Sequence, residues 1–183
     1  MNNTAALVAR WRVRLGYILA VFVLIFARPT PKFVAIGAAI GFIGIWLRAF
    51  AAGYLHKQEL LTVGGPYAYT RNPLYLGSFM LGLCFTIASA RWPLALLFVG
   101  IFLGIYFPVM RVESRTLEEL FGESYQLYAR DVPLFLPRMT PYRDRSIATK
   151  FDPDLYMRYR EYQAAVGLLA LWGVLVFKAY YLK

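Results

Sequence analysis

Apolar residues gather into five runs along the chain, at positions 13–27, 33–55, 74–89, 93–112 and 162–181, separated by short polar turns and two long polar segments, 56–73 and 113–161. Runs near 20 residues exceed what core strands or ordinary core helices need and match the length of a membrane-spanning helix. The first and third runs are short and reach across a bilayer only with Trp11, Arg12, Arg91 and Trp92 anchoring or snorkelling at the boundaries. Pro31 and Pro93 stand where helices start, a position at which a missing N–H removes no hydrogen bond. The pattern predicts an all-α fold, a polytopic membrane helical bundle of about five transmembrane helices. The basic-then-apolar N-terminus is read as an uncleaved first span, because no small-x-small site follows the apolar run.

Inside the runs, Gly37 and Gly41, and Gly100 and Gly104, have the spacing that lets helix backbones approach closely, and both pairs are expected to pack helices. In "FDPDLYMRYREY", Asp152 is the expected N-cap of a helix with Pro153 in its first position, and the tyrosines mark the interface before the last run.

Composition agrees with the pattern. Of 183 residues 60% are apolar and 16% charged, far from the balance of a soluble domain. The net charge of +10 would suit a nucleic-acid partner, but the basic residues sit at the ends of apolar runs, so no such partner is expected. With the N-terminus inside, fourteen Lys and Arg fall on the cytoplasmic side and five on the other, with Arg48 within a span. That distribution predicts N-terminus in and C-terminus out, and places both long polar segments in the cytoplasm. The single cysteine, Cys84, excludes an internal disulfide, and His56 has no Cys or carboxylate at ligand spacing, so no metal site is expected.

Three places hold candidate chemistry. In "GGPYAYTRNPLYLG", Gly64–Gly77, glycines and prolines break the helix where the third run begins. Irregular backbone there is tolerated where it lines a cavity; Arg71 would grip a carboxylate or phosphate, and Tyr67, Tyr69 and Tyr75 would stack on a heterocycle or face a cation. The alternative is an aromatic belt around an ordinary turn, the better account of Tyr69. In "VESRTLEELFGESYQLYARDVPLFLP", Glu113 is an ionisable residue at the end of a span and a functional candidate. Glu118 and Glu119 read as a solvated face, Leu117, Phe121, Tyr125 and Tyr128 as mostly packing, and Gly122 as a local break. Arg48 either snorkels or turns inward to meet Glu113 or an anionic ligand group.

Taken together, "GPYAYTRNPLYLG", one apolar hairpin, and E-x-x-x-L-x-x-x-F-G-x-x-Y-x-x-Y-x-x-x-V-P-x-x-x-P resemble the isoprenylcysteine carboxyl methyltransferases and related phospholipid methyltransferases over about 48–137. The resemblance implies a membrane-embedded enzyme using S-adenosyl-L-methionine on a lipidic acceptor drawn from the membrane, with a cytoplasmic cofactor pocket. It divides the chain into N-terminal spans (1–47), a methyltransferase-like core (48–137), a cytoplasmic connector (138–161) and a C-terminal span (162–183). It assigns Tyr67, Arg71, Asn72, Pro73, Tyr75, Gly77, Glu113, Tyr125 and Tyr128 to cofactor binding. Arg48 has a substrate or structural role, and the catalytic candidates are Glu113, Arg130 and Asp131. The departures are Asn72 for a frequent histidine, Ser114 for a second glutamate, and Asp131 where eukaryotic carboxyl methyltransferases carry an arginine. Arg130, one residue earlier, is rotated by about 100° on a helix. The acceptor stays open between a carboxylate oxygen and a headgroup nitrogen. The rival readings are a sterol-reductase-like enzyme using NADPH, which would need more spans, and a scaffold that has lost the site.

Overall fold

The computed structural model describes residues 18, 20–56, 60–143 and 150–181. Among these there is no strand: the elements are α1 (20–26), α2 (Pro31–Tyr54), a 3-10 turn (Gly65–Ala68), α3 (Pro73–Ala88), α4 (Trp92–Asp131), α5 (Pro153–Arg158) and α6 (Tyr162–Tyr181). Helices α2, α4 and α6 are long and apolar enough to cross a membrane. Helix α3, with 16 residues, is shorter than that, about 24 Å at 1.5 Å per residue. Residues 13–17 and 19 of the expected first span lie outside the described residues; what is described of it is helical through 26. Phe42, Trp46, Leu96 and Leu169 are more than half exposed, as in a protein whose surrounding solvent is hydrocarbon. The chain is an integral membrane protein with an all-α bundle fold.

Pro31 and Asp152–Pro153 start their helices as expected, and Asp152 accepts the N–H of Asp154 at 2.8 Å. The fourth apolar run does not end near 112: α4 continues to Asp131, its geometry broken at Gly122, where φ is +54° and glycine alone is unstrained. The polar half of α4 thus grows directly from a span.

The chain forms two compact units, 1–42 with 79–109 and 166–183, and 43–78 with 110–165. In the first, Ala27, Ala88 and Leu175 form a core with Leu24, Phe85 and Trp172 against it. Lys178 Nζ donates to the carbonyls of Leu24 and Ile25 at 2.8 and 3.1 Å, closing the open end of α1. A Cβ at Gly37 would lie 2.6 Å from the Cys84 carbonyl oxygen, and one at Gly41 3.1 Å from the Cys84 sulfur, so this pair does bring helices together. Gly100 and Gly104 do not. A Cβ on either meets nothing within 4 Å, because both face outward from α4, and the packing expected of them is corrected accordingly.

The second unit is centred on Leu61, Val63, Tyr125, Tyr128 and Val132, with Leu117 and Phe121 packed against them, the helical spacing read in the sequence. Residues 151–161 dock on the end of α2: the Phe151 ring stacks on Phe50 at 5.6 Å, the Asp152 N–H reaches the Gly53 carbonyl at 2.8 Å, and the Tyr159 hydroxyl reaches that of Leu55 at 3.1 Å.

The two glycine pairs should respond oppositely to alanine. Gly37→Ala forces the backbone apart and is expected to lower stability by about 1–3 kcal/mol. Gly100→Ala removes a poor helix former into open space and should be neutral or stabilising by up to about 1 kcal/mol. Thermal unfolding of both variants in one detergent checks this; equal losses would contradict the placement of α4.

Candidate active site

The first motif has an irregular backbone, and the second satisfies it. Gly65 turns the chain at φ +55°, where a Cβ would strike the Tyr54 ring at 2.7 Å. After the 3-10 turn the strip 67–72 is hydrogen-bonded along its length to the end of α4 and the segment beyond. The Tyr128 hydroxyl donates to the Tyr67 carbonyl at 2.7 Å, and the Tyr142 and Arg138 N–H groups to the carbonyls of Ala68 and Tyr69 at 2.9 Å each. In the other direction, Thr70 Oγ1 donates to the Phe135 carbonyl at 2.8 Å, the Arg71 N–H to that of Pro133 at 3.0 Å, and Asn72 Nδ2 to that of Leu134 at 2.9 Å. These bonds answer the requirement that buried backbone groups be paired. They also spend Asn72 Nδ2 and the Tyr128 hydroxyl on structure.

Ladder geometry aims Arg71 at α4. Its Nη1 donates to Ser114 Oγ at 3.2 Å and to the Tyr125 hydroxyl at 3.3 Å, and those two oxygens share a bond of 2.7 Å. Arg71 Nε is buried without a partner. A guanidinium held by neutral hydroxyls, with one buried donor unmet, suits an anionic group from outside the protein. Next to Ser114, Glu113 is exposed and accepts the Tyr75 hydroxyl at 2.7 Å. Helical rotation separates the two neighbours: residue 114 serves Arg71, residue 113 serves Tyr75.

Pro73 is fully buried as the first residue of α3. Gly77 is a packing glycine, its missing Cβ making room for the Arg48 stem where α2 and α3 cross. Arg48 neither snorkels nor meets Glu113. It binds Glu161, with Nε and Nη2 each 2.9 Å from a carboxylate oxygen. Glu161 was not singled out in the sequence; the signal was that an arginine within a span requires a partner. Arg130 and Asp131 are not part of the cluster: exposed at the end of α4, they face each other at 3.6 Å. Tyr69 is exposed, as a belt residue would be.

Residues 11–124 match the family model for phospholipid methyltransferases, more than half of the chain. The chain belongs to the phospholipid methyltransferase family. Among curated relatives, the cobalt-zinc-cadmium resistance protein CzcN of Cupriavidus metallidurans is 31% identical over 152 residues, covering 76% of this chain and 67% of that protein. The protein-S-isoprenylcysteine O-methyltransferase of Schizosaccharomyces pombe is 30% identical over 114 residues, 55% of this chain and 48% of that one. The nickel-cobalt-cadmium resistance protein NccN of Alcaligenes xylosoxydans xylosoxydans is 30% identical over 112 residues, 61% and 51% respectively. The chain thus spans about two thirds of the first relative and about half of the other two. No solved structure was found to match. The phospholipid methyltransferase match contains Arg71, Glu113 and Ser114 but ends before Tyr125. The family region therefore depends on residues beyond it to hold Arg71 and close the ladder.

Two phenols of this family member resist ionisation. Burial pushes Tyr67 well above the ordinary value, helped by the acidic groups Tyr128, Tyr159, Glu113 and Glu161. Burial, then Tyr125, raises Tyr128 against the opposing pull of Arg71. Above about pH 10 an unfolded chain releases protons that these two side chains keep in the folded state, so stability should fall as pH rises from that point. Thermal midpoints between pH 8 and pH 11.5 are expected to drop past about 10, with a shallower slope in Tyr128→Phe; a midpoint level across that range would refute it.

Proposed function

We propose that the chain is an S-adenosyl-L-methionine-dependent membrane methyltransferase whose acceptor is an amine nitrogen on a lipid. The observation that carries this reading is the incompletely partnered Arg71, held at Ser114, with the carboxylate of Glu113 on the next residue of α4. Arg71 is half-buried and incompletely partnered, and Glu113 is exposed beside it. An amino-acid carboxylate is the group that suits Arg71, whose planar fork of donors matches it better than a point charge would. When bound, S-adenosyl-L-methionine supplies an electrophilic methyl group on a sulfonium. Tyr75, only partly buried, offers a ring face of the kind that attracts such a cation.

The choice of nitrogen follows from where the arginines go. Arg48 is matched to Glu161, Arg130 lies exposed beside Asp131, and Arg71 is assigned to the cofactor. None of these three is left for a substrate carboxylate, whereas exposed Glu113 is open to an ammonium. Glu113 would orient that ammonium and take its proton, giving the free amine whose lone pair would form the new N–C bond as the methyl's bond to the sulfonium sulfur breaks and S-adenosylhomocysteine leaves. Positioning and exclusion of water supply most of the remaining acceleration. The charge distribution supports a cytoplasmic site, reached by the lipid from the bilayer.

Purified protein titrated with S-adenosylhomocysteine should bind it, and NADPH should not compete. Arg71→Ala is expected to weaken that binding roughly 10- to 100-fold, the loss of a charge-assisted contact. Labelled methyl groups should pass to phosphatidylethanolamine vesicles and not to a farnesylcysteine analogue, and Glu113→Gln should slow transfer on the order of 100-fold. Transfer to the farnesylcysteine carboxylate instead would overturn the amine assignment; binding of neither S-adenosylhomocysteine nor NADPH would overturn the enzyme.

A further inference from the structure

Arg48 and Glu161 lie outside both motif strings, and Glu161 lies beyond the residues that match the family. Three elements of the second unit meet at them: α2 through Arg48, the first turn of α3, and the turn between α5 and α6. The guanidinium is engaged on every nitrogen. Nε and Nη2 take the two carboxylate oxygens of Glu161, while Nη1 donates to the Leu74 carbonyl at 3.3 Å and to the Ser78 hydroxyl. Side-chain exposures are 21% for Arg48 and 10% for Glu161, so the pair is largely shielded from water. A two-pronged pair of this kind fixes direction as well as distance. Gly77 makes it possible: a Cβ there would stand 2.5 Å from Arg48 Cγ and 3.0 Å from the Gly44 carbonyl oxygen.

Leu74 and Ser78 are the two ends of one helical turn, and Tyr75 projects from that same turn to Glu113 at 2.7 Å. The connector has its own anchors on α2, through Phe151, Asp152 and Tyr159. Holding the connector in place does not account for an arginine that spends its third nitrogen on α3. We propose that Arg48 and Glu161 are positioning residues: the pair pins the first turn of α3 and so keeps the Tyr75 hydroxyl on the Glu113 carboxylate that receives the acceptor. Glu161 orients Arg48, Arg48 orients the turn, and the turn orients Tyr75. This rests on the methyltransferase reading for its functional meaning, while the pinning itself is a property of the fold.

The test places 3-fluorotyrosine at position 75 of the full chain in detergent and follows its fluorine resonance. Glu113→Gln defines the shift caused by losing the carboxylate partner. Glu161→Gln and Ser78→Ala, which cut the tether at opposite ends, should each move the resonance in that direction, and Tyr159→Phe, which removes a connector anchor, should not. A folded Glu161→Gln protein with the wild-type resonance overturns the proposal; if that variant fails to fold, Ser78→Ala decides by the same criterion. In the methyl-transfer assay, Glu161→Gln should lower kcat roughly 10- to 100-fold, the cost of a small misplacement, with affinity for S-adenosylhomocysteine within roughly threefold. An unchanged kcat also overturns it. Absence of transfer by the wild type would sink the enzyme reading alone, because the resonance still reports whether the pair holds Tyr75.

Discussion

Backbone polar groups at the edge of a membrane must find partners, and the strip from Tyr67 to Asn72 is too irregular to find them within itself. It takes them from Tyr128 and the segment 133–142, six bonds in all counting both directions. That exchange decides what is left for chemistry. Thr70, Asn72 and Tyr128, polar residues that a motif reading assigns to a ligand or leaves unassigned, are held by the ladder. Arg71, whose main chain is in the ladder but whose side chain is not, is turned towards α4. The same requirement explains why the two motifs occur together: neither stretch has its polar groups paired without the other.

Electrostatics then separates two arginines of similar depth. Arg48 has a carboxylate, a hydroxyl and a carbonyl, and is finished. Arg71 has two hydroxyls and an orphan nitrogen. Removing a guanidinium from water is costly unless its hydrogen bonds are replaced. The fold thus satisfies one such group fully and leaves the other with a buried donor unmet.

Local features of this arrangement were legible in the sequence. Pro31, Asp152 with Pro153, and Gly122 act where their backbone chemistry says they should, and the spacing of Leu117, Phe121, Tyr125 and Tyr128 marked a buried face. Bringing Arg71 and Glu113 into one unit was legible only through the joint resemblance, since no periodicity relates residues on either side of a helical hairpin. Long-range choices were not legible. The partner of Arg48 lies 113 positions away, and nothing local distinguishes Glu161 from the other charged residues of the connector. Gly100 and Gly104 repeat the spacing of Gly37 and Gly41, yet spacing does not say whether a second helix stands opposite. Arg130 and Asp131 looked reactive by position in a motif, but they sit where α4 ends in solvent.

Ser114 carries the most weight of the departures from the family pattern. A glutamate there would set a second carboxylate beside Glu113 and directly against Arg71, since residue 114 already touches Arg71 Nη1. Arg71 would then be neutralised from within the protein, and an incoming carboxylate would have to displace or share that partner. With serine, the contact is kept as a neutral hydrogen bond and the positive charge is left uncompensated by residue 114. Glu113, turned about 100° away on the helix, is occupied with Tyr75 and keeps its charge apart from Arg71. The substitution that on sequence grounds suggested a lost site thus leaves Arg71 with a buried donor unmet within the protein.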